Sequence, residues 1–310
     1  MQCTVSAADP ARTKAGVLVI GVFENRRLSR VGADVDRASE GHLRQGLANG
    51  DLDGRPGTSL MLYDVPGVRA RRVLLVGCGK ASGFDRRAYR RACALAAGLL
   101  ERGRATEALG CLSSIRVKGI DAGERARIAL EATETARYRF DEFRSEPDTP
   151  PHPLKKLVLH VADKGERAAA EAGIAHARAL AAGLALARDL ANRPANVCTP
   201  AHLAEQALAL DREHERVHTT VLEESDMEEL GMGAMRAVSR GSREPAKLIT
   251  MHYQGASSDS SLGCHSSSQA SLTEAISAAT SSARPRGPSR RASAASTIAS
   301  STSRASPRTA

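Results

Sequence analysis

The chain has 310 residues, which is enough for two domains that each bury their own core. The composition is 42% hydrophobic and 25% charged with no Trp, so Ala, Leu and Val build the core, as in a soluble α/β or α-rich protein. The formal net charge of +9 is compatible with attraction to nucleic acid, but Arg-rich, Ala-rich chains are also common where coding DNA is GC-rich, and we favour this second explanation.

The first predicted elements are typical of an α/β domain. Gly16–Phe23 (GVLVIGVF) is a continuous apolar run, rich in β-branched residues and too short for a stable isolated helix, so it predicts a buried strand. Ser39 is a candidate N-cap for a short helix over Ser39–Leu47, and a turn cluster follows. Ser59–Val65 predicts a second strand.

The next segment is a strand, a glycine-rich turn and a helix, which is the elementary α/β unit. Arg72–Gly77 predicts the strand and Phe84–Arg102 the helix, with Asp85 near its start, where a carboxylate suits the helix dipole. The later elements of this domain are a strand over Cys111–Val117, a helix over Glu124–Tyr138, a strand over Lys156–Val161, and a long Ala-rich helix over Gly165–Asn192.

A hinge between two domains is predicted next, because Pro194 and Pro200 forbid a continuous helix. Thr199 is suited to cap a new helix that has Pro200 in its first turn. The remaining predicted elements are a strand over Val217–Leu222, a helix over Ser225–Leu230 that ends at Gly231, and a strand over Lys247–Tyr253.

The composition changes abruptly after Ala256. Residues 257–310 are about one-third Ser, with no Lys, no aromatic residue and only two acids, Asp259 and Glu274. Such a segment buries too little apolar surface to offset its conformational entropy, so we expect it to be disordered.

The predicted fold class is α/β. Its parts are an N-terminal mixed-sheet α/β domain over 1–164, a linking helix over 165–192, an incomplete second α/β domain over 193–256, and a low-complexity tail over 257–310.

The six cysteines are scattered, with no CxxC pair and no His at ligand spacing, so they are interpreted as reduced thiols. They are Cys3, Cys78, Cys93, Cys111, Cys198 and Cys264. The first residues lack the apolar core of a signal peptide, and no stretch approaches the roughly eighteen apolar residues of a membrane helix. We therefore expect a cytoplasmic protein without a membrane partner.

Several motifs suggest chemistry, but each has a simpler explanation. Gly77–Lys80 (GCGK) places glycines after a strand, as a phosphate loop does, yet it lacks the GxxxxGK[ST] and GxGxxG spacings, so a tight turn is favoured. His160 and His176 are interpreted as packed or surface histidines. Ser239–Ser242 contains no GxSxG motif and is rejected as a nucleophile turn.

His214 and His218 have the i, i+4 spacing of a zinc-binding helix, but no Glu completes an HExxH motif. We interpret them as part of a solvated helix face. The residues alone therefore assign no catalytic, metal-binding or cofactor-binding side chain to this chain.

A family resemblance adds what these motifs do not provide. Ala187–Leu203 (ARDLANRPANVCTPAHL) resembles the interdomain segment of leucyl aminopeptidases, where a pattern like ARDL-N-P-N-TP-L is characteristic. The resemblance continues through Val221–Met235 to the strand that ends in Tyr-x-Gly-Ala before the tail. Arg72–Lys80 and Tyr138–Phe143 (YRFDEF) are similar to the family's N-terminal domain. The resemblance covers nearly all of residues 16–256, and its separate motifs occur in the same order as in the family.

The resemblance implies a peptidase in which two divalent metals, Mn or Zn, activate a water that attacks the peptide bond next to a free N-terminus. Carboxylates and a Lys hold these metals in motifs resembling VGKG-TFD-GG, K-DM-GA and NTDAEGRL, all C-terminal to the Tyr-x-Gly-Ala strand. None of these motifs occurs here, and the tail has too few carboxylates for two cations. No site residue is carried over, so we expect no cofactor and no peptidase activity in this chain.

Two hypotheses explain the tail. It is either an out-of-frame translation of what would be the catalytic domain, which we favour because the resemblance stops within a few residues, or a disordered tail on a non-catalytic relative. A neighbouring reading frame that encodes NTDAEGRL would support the first. We expect no family hexamer, whose contacts mostly involve the catalytic domain, and poor solubility after about residue 200, where strands lack partners.

Peptides are the substrates that the resemblance implies. A hypothesis of another class is a non-catalytic DNA-binding or regulatory protein, since some bacterial members of the family bind DNA. The positive net charge of the chain and its Arg-rich tail are compatible with phosphate contacts. No recognition-helix signature supports this hypothesis, so it stays the alternative.

Overall fold

The sheet of residues 1–193 is centred on β2 (Val17–Phe23), the apolar run that predicts a buried strand. The computed structural model describes residues 1–145 and 154–255, and all seven residues of β2 are buried in it. β2 lies between β5 (Arg72–Gly79) and β6 (Glu107–Gly110), and both pair with it in parallel. Parallel strands are buried on both faces, so they read as continuous apolar runs rather than alternating ones.

The remaining strands extend this sheet on both sides. β6 pairs in parallel with β7 (Lys156–His160), which pairs in parallel with β1 (Gln2–Ser6). On the other side, β5 pairs antiparallel with β4 (Ser59–Tyr63), and the short β3 (Arg27–Leu28) pairs antiparallel with β2. The strand order β1-β7-β6-β2-β5-β4 confirms the predicted mixed sheet.

Helices cover both faces of the sheet. In the described part of this unit they are α1 (Arg30–Ala38), α2 (His42–Ala48), α3 (Arg86–Arg102), α4 (Ala122–Arg137) and α5 (Arg167–Asn192). Residues of α1 and α2 share one buried cluster with Leu18 and Ile20 of β2, whereas α3, α4 and α5 share another with Val17 and Val19. The alternation along β2 therefore supplies both cores of an α/β/α arrangement.

The second unit begins at Pro194 and is described as far as Gly255. Its elements are α6 (Pro200–Glu213), β8 (Val217–Leu222), α7 (Glu224–Glu229), α8 (Gly233–Ser239) and β9 (Leu248–Tyr253). β8 and β9 form a two-stranded antiparallel sheet, and α6 contacts both strands. The Thr199 cap is confirmed, because its side chain accepts a hydrogen bond from the His202 amide at 3.2 Å.

Most predicted elements are confirmed within a few residues. The sequence analysis predicts neither β1 nor α1, and the strand expected over Cys111–Val117 is wrong: this segment is a loop with a 3₁₀ turn at Leu112–Ser114, because β6 ends at Gly110. Four apolar residues of that loop are buried (Cys111, Leu112, Ile115 and Val117), so its apolar side chains fill the core without a strand.

Ser39 is also misassigned as a helix N-cap. It is the C-cap of α1, and its hydroxyl donates a hydrogen bond to the Asp36 carbonyl at 3.1 Å. α2 begins three residues later, after Gly41, whose φ of +84° suits glycine. The signal that identifies α1 is Ser29, whose side chain accepts from the Gly32 amide.

The chain division lies after Arg193, and α5 packs along α4 within the first unit. No helix among residues 1–145 and 154–255 has the length and apolarity needed to cross a membrane. The predicted disordered tail over 257–310 lies outside the described residues.

Gly77 is a strand residue rather than part of a turn, since β5 continues to Gly79. Its amide donates to the Thr58 carbonyl at 2.9 Å, and the Gly79 amide donates to the Gly54 carbonyl at 2.8 Å. A Cβ at position 77 would lie 2.0 Å from the Arg55 carbonyl oxygen, so glycine is required there by the close approach of another backbone segment.

We predict that Gly77→Ala destabilises the protein by about 1–3 kcal/mol, because the added methyl meets backbone that cannot move without breaking these hydrogen bonds. Urea unfolding followed by circular dichroism measures the loss. Gly83→Ala is the matched control, since a Cβ there has no heavy atom within 4 Å. Equal midpoints for the two variants would contradict this account of Gly77.

Candidate functional site

The amides of Gly77–Lys80 do not form a phosphate loop. Those of Gly77 and Gly79 are already donated to neighbouring backbone carbonyls, and the Gly79 carbonyl accepts from the Glu24 amide. Phosphate loops need free N–H groups that converge on one point. The phosphate-loop interpretation is therefore excluded at Gly77 and Gly79, but the tight turn expected at Gly77–Lys80 is also wrong, because β5 continues to Gly79.

His160 and His176 lie on different elements, β7 and α5. His160 is buried at the end of β7, where burial lowers its pKa, and its Nδ1 has no hydrogen-bond partner among the described residues. His176 is exposed on α5. A buried neutral imidazole of this kind is a packed residue, as the sequence suggests.

The helix interpretation of His214 and His218 is wrong. His214 caps the C-terminus of α6, whereas His218 lies on β8 directly opposite His252 of β9, with ring centroids 6.4 Å apart. The spacing i, i+4 therefore spans two different elements. The cross-strand pairing with His252 is a tertiary contact that no local spacing signals.

In the described part of the chain, Ser239 and Ser242 bond to backbone groups, and Cys3 and Cys78 are buried. The Ser239 hydroxyl donates to the Arg236 carbonyl, and Ser242 accepts from the Glu244 amide. Burial raises the pKa of Cys3 to about 11 and that of Cys78 to about 12, so both stay protonated thiols at neutral pH. Cys264 lies outside the described residues.

The donor set that two divalent metals require is not assembled in the described part of the chain. Among residues 1–145 and 154–255, no three side chains of His, Cys, Asp or Glu lie together in a way that holds a metal ion. These residues therefore do not fit a two-metal centre, and we derive no reaction step through one.

The motifs YRFDEF and ARDLANR, which carry much of the family resemblance, are in contact. The Tyr138 hydroxyl donates to Asp189 Oδ1 at 2.9 Å and accepts from Asn192 Nδ2 at 3.1 Å. The Arg188 guanidinium lies 5.0 Å from the centroid of the Tyr138 ring, within cation–π range. We call these four residues the Tyr138 latch. It attaches the last turn of α5 to the segment that follows α4.

A second contact reinforces the latch. Arg193, just after α5, pairs with Glu142 of YRFDEF at 2.9 Å. Within YRFDEF itself, the rings of Phe140 and Phe143 lie 5.8 Å apart. Partial desolvation, followed by the hydrogen bond to Asp189, raises the pKa of Tyr138, so its hydroxyl keeps its proton at neutral pH. The latch thus fixes the helix end and has no group suited to catalysis.

A groove of about 860 Å³ runs beside the latch along α4 and α5. Arg188 and Asp189 lie at one end of it, and Leu180 and Leu184 are 46% and 41% exposed along its length. The groove combines apolar surface with paired charges and contains no Ser, Cys or His.

We predict that Tyr138→Phe loosens the last turn of α5. The ring and its contact with Arg188 are kept, but two hydrogen bonds are lost, each contributing about 1 kcal/mol. Hydrogen exchange of amides 189–193 should become about fivefold faster or more. Tyr63→Phe is the matched control, because Tyr63 is 64% exposed on β4. Unchanged exchange in Tyr138→Phe would show that the latch does not hold this turn.

Comparison with known proteins identifies the family. Residues 19–147 match the model of the cytosol aminopeptidase family, N-terminal domain, and residues 185–263 match that of its catalytic domain. Probable cytosol aminopeptidases from Thioalkalivibrio sulfidiphilus and Halorhodospira halophila are each 40% identical over 259 residues, which is 84% of this chain and 52% of theirs. The chain spans about half the length of the curated relatives it matches.

Solved structures agree with the fold. A mutant of tomato leucine aminopeptidase superposes with a TM-score of 0.70 at 22% identity, covering 83% of this chain and 51% of that one. The bottromycin maturation enzyme BotP in complex with Mn superposes with a TM-score of 0.59 at 30% identity, covering 77% and 45%. Because two models of one family together match about two thirds of the sequence, in the family's order, the chain belongs to the cytosol aminopeptidase family.

Proposed function

We propose that this chain carries the N-terminal domain and the opening part of the catalytic domain of a cytosol aminopeptidase, and that it has no aminopeptidase activity by itself. The observation that carries the proposal is the content of the sequence after the Tyr253–Ala256 segment. It supplies two carboxylates, Asp259 and Glu274, and no Lys, where the family resemblance calls for a cluster of carboxylates and a Lys. Two adjacent cations require more anionic ligands than this.

The reaction proposed for the complete family protein is metal-dependent hydrolysis that releases N-terminal amino acids from peptides. The names of the relatives and the Mn bound to BotP support this assignment. The name of the family also supports a cytoplasmic location, as do the buried free thiols of Cys3, Cys78, Cys93 and Cys111.

Residues 1–193 have a structural role in this proposal. The sheet supplies a rigid core, and the Tyr138 latch holds the end of α5, from which the chain enters the second unit at Pro194. Two hydrogen bonds and a cation–π contact fix this helix end just before the first unit ends at Arg193.

We predict no hydrolysis of leucine p-nitroanilide by the purified chain with added Mn²⁺ or Zn²⁺, because the ligands that position both ions are missing. The probable cytosol aminopeptidase of Thioalkalivibrio sulfidiphilus, assayed alongside, is the positive control. Each reaction is repeated with a chelator. Turnover by this chain that the chelator abolishes would contradict the proposal and would require metal ligands elsewhere in the sequence.

A second candidate function is DNA binding, which one surface feature favours. A depression of about 480 Å³ at the start of α3 is lined by four cations and one acid, which are Arg86, Arg87, Arg90, Lys118 and the helix cap Asp85. Arg86 pairs with Glu124, and Arg90 pairs with Glu131 at 3.4 Å. Arg87 and Lys118 make no ion pair among the described residues, so two cations are left for phosphates. Two free charges are a small footprint for a duplex.

On this alternative, duplex DNA should bind with an affinity that falls as salt rises. The double substitution Arg87→Gln, Lys118→Gln should lower the slope of log K against log salt by about two, because each phosphate contact adds about one. Fluorescence anisotropy with a labelled duplex measures the slope. Arg104→Gln, on the loop before β6, is a control for charge alone. A slope that does not differ between these variants would exclude the depression as the DNA site.

A further inference from the structure

A crevice lies at the carboxyl ends of three neighbouring strands in the first unit. It has a volume of about 810 Å³ and is lined by the end of β2, the start of α1, the loop after β6 and the loop after β7. This size is in the range of small-molecule sites. We call it the switch-point crevice, because the chain leaves two of these strands, β2 and β6, in opposite directions.

The chain leaves β2 and β6 in opposite directions. From β2 it passes through α1 on one face of the sheet and reaches β5 on one side, whereas from β6 it passes through α4 on the other face and reaches β7 on the other side. Loops that diverge from adjacent parallel strands leave a gap between them. In open α/β sheets, ligands bind outside the carboxyl ends of the strands at such a point.

The crevice carries an excess of positive charge. Arg30, Arg116 and Lys164 line it, each is exposed, and none makes an ion pair among residues 1–145 and 154–255. They come from three different segments, which are the first turn of α1, the loop after β6 and the 3₁₀ turn after β7. Three cations that converge from separate elements on one concavity favour a multivalent anion.

The two acids of the crevice are already engaged. The Asp163 carboxylate accepts from the Gly165 amide at 2.9 Å, and Glu166 pairs at 2.8 Å with Arg125. Arg125 is only 4% exposed, so Glu166 neutralises a buried charge and is not available to the cations around the crevice. Asp163 keeps its negative charge, so the three cations of the crevice face one carboxylate without a cationic partner, and the local balance is positive.

The start of α1 adds donors. Ser29 is buried, and its side chain caps the Gly32 amide, while the amides of Arg30 and Val31 in the first turn have no intrahelical acceptor. All three of Ser29, Arg30 and Val31 line the crevice. The positive end of this helix dipole thus points to the same place as the three cations.

The walls between these polar groups are apolar. Phe23, Val31 and Ile115 are each 8% exposed and line the crevice beside the cations. A site with charge at one part and apolar wall at another suits a molecule with an anionic group on an organic body. We propose that the switch-point crevice binds a phosphorylated small molecule, with Arg30, Arg116, Lys164 and the first turn of α1 contacting its phosphates.

The proposal is tested by isothermal titration calorimetry of the full chain with ADP and with inorganic pyrophosphate. Both are expected to bind at one site per chain, and Arg30→Gln combined with Arg116→Gln should weaken binding about tenfold or more, because charge-assisted hydrogen bonds are lost. ADP binding more tightly than pyrophosphate would assign the apolar walls to the organic body; equal affinity would assign the site to phosphate groups alone. Both results support the site.

Arg104→Gln is the control for the crevice variant. Arg104 is exposed, precedes β6 at the amino end of the sheet, and makes no ion pair among the described residues. It should leave the affinity unchanged within about twofold, since it lies at the opposite edge. Because Arg30 and Arg116 are exposed, circular dichroism should show an intact fold in every variant. No saturable binding of either ligand, or equal weakening by Arg104→Gln, would overturn the proposal.

Discussion

The structure depends on the burial of β2 from both faces. A seven-residue strand without one exposed side chain needs apolar cover above and below, and a parallel partner on each edge to satisfy its backbone. Helices on both faces follow from this, and so does a chain that crosses from one side of β2 to the other. The same requirement that buries Val17–Phe23 thereby creates the diverging loops at its carboxyl end. A packing constraint in the core thus determines where a surface crevice opens.

Local sequence patterns predict an element correctly when the same local residues also stabilise it. The apolar runs of β2 and β5, the Ala-rich α5 and the Thr199 cap are all of this kind, and the structure confirms them. The strand predicted over Cys111–Val117 is wrong, because an apolar run indicates burial and not strand geometry. The Ser113 hydroxyl donates to the carbonyls of Gly110 and His160, and the chain turns away from the sheet there. Periodicity does not distinguish a buried loop from a buried strand.

The contacts that organise the candidate sites could not be predicted, because they join residues far apart in sequence. Tyr138 and Asp189 lie 51 positions apart, and the partner of Arg125 is 41 positions away. Both latch motifs are part of the family resemblance, but the resemblance does not indicate that the two motifs are in contact. The prediction for His214 and His218 fails for a different reason: their i, i+4 spacing suggests one helix, but α6 ends between them and His218 lies on β8. Spacing has chemical meaning only within one element.

The two units differ in how much of their apolar surface they bury. Within the described part of the second unit, only Ala204, Ala207 and Met227 are buried hydrophobic residues. Val238 of α8 is 88% exposed, and Tyr253 of β9, in the two-stranded sheet, is 64% exposed. A two-stranded sheet is marginally stable alone, so further apolar contacts would be needed to stabilise these residues. The first unit, in contrast, buries apolar side chains on both faces of its sheet, and this core fixes the loops that line the switch-point crevice.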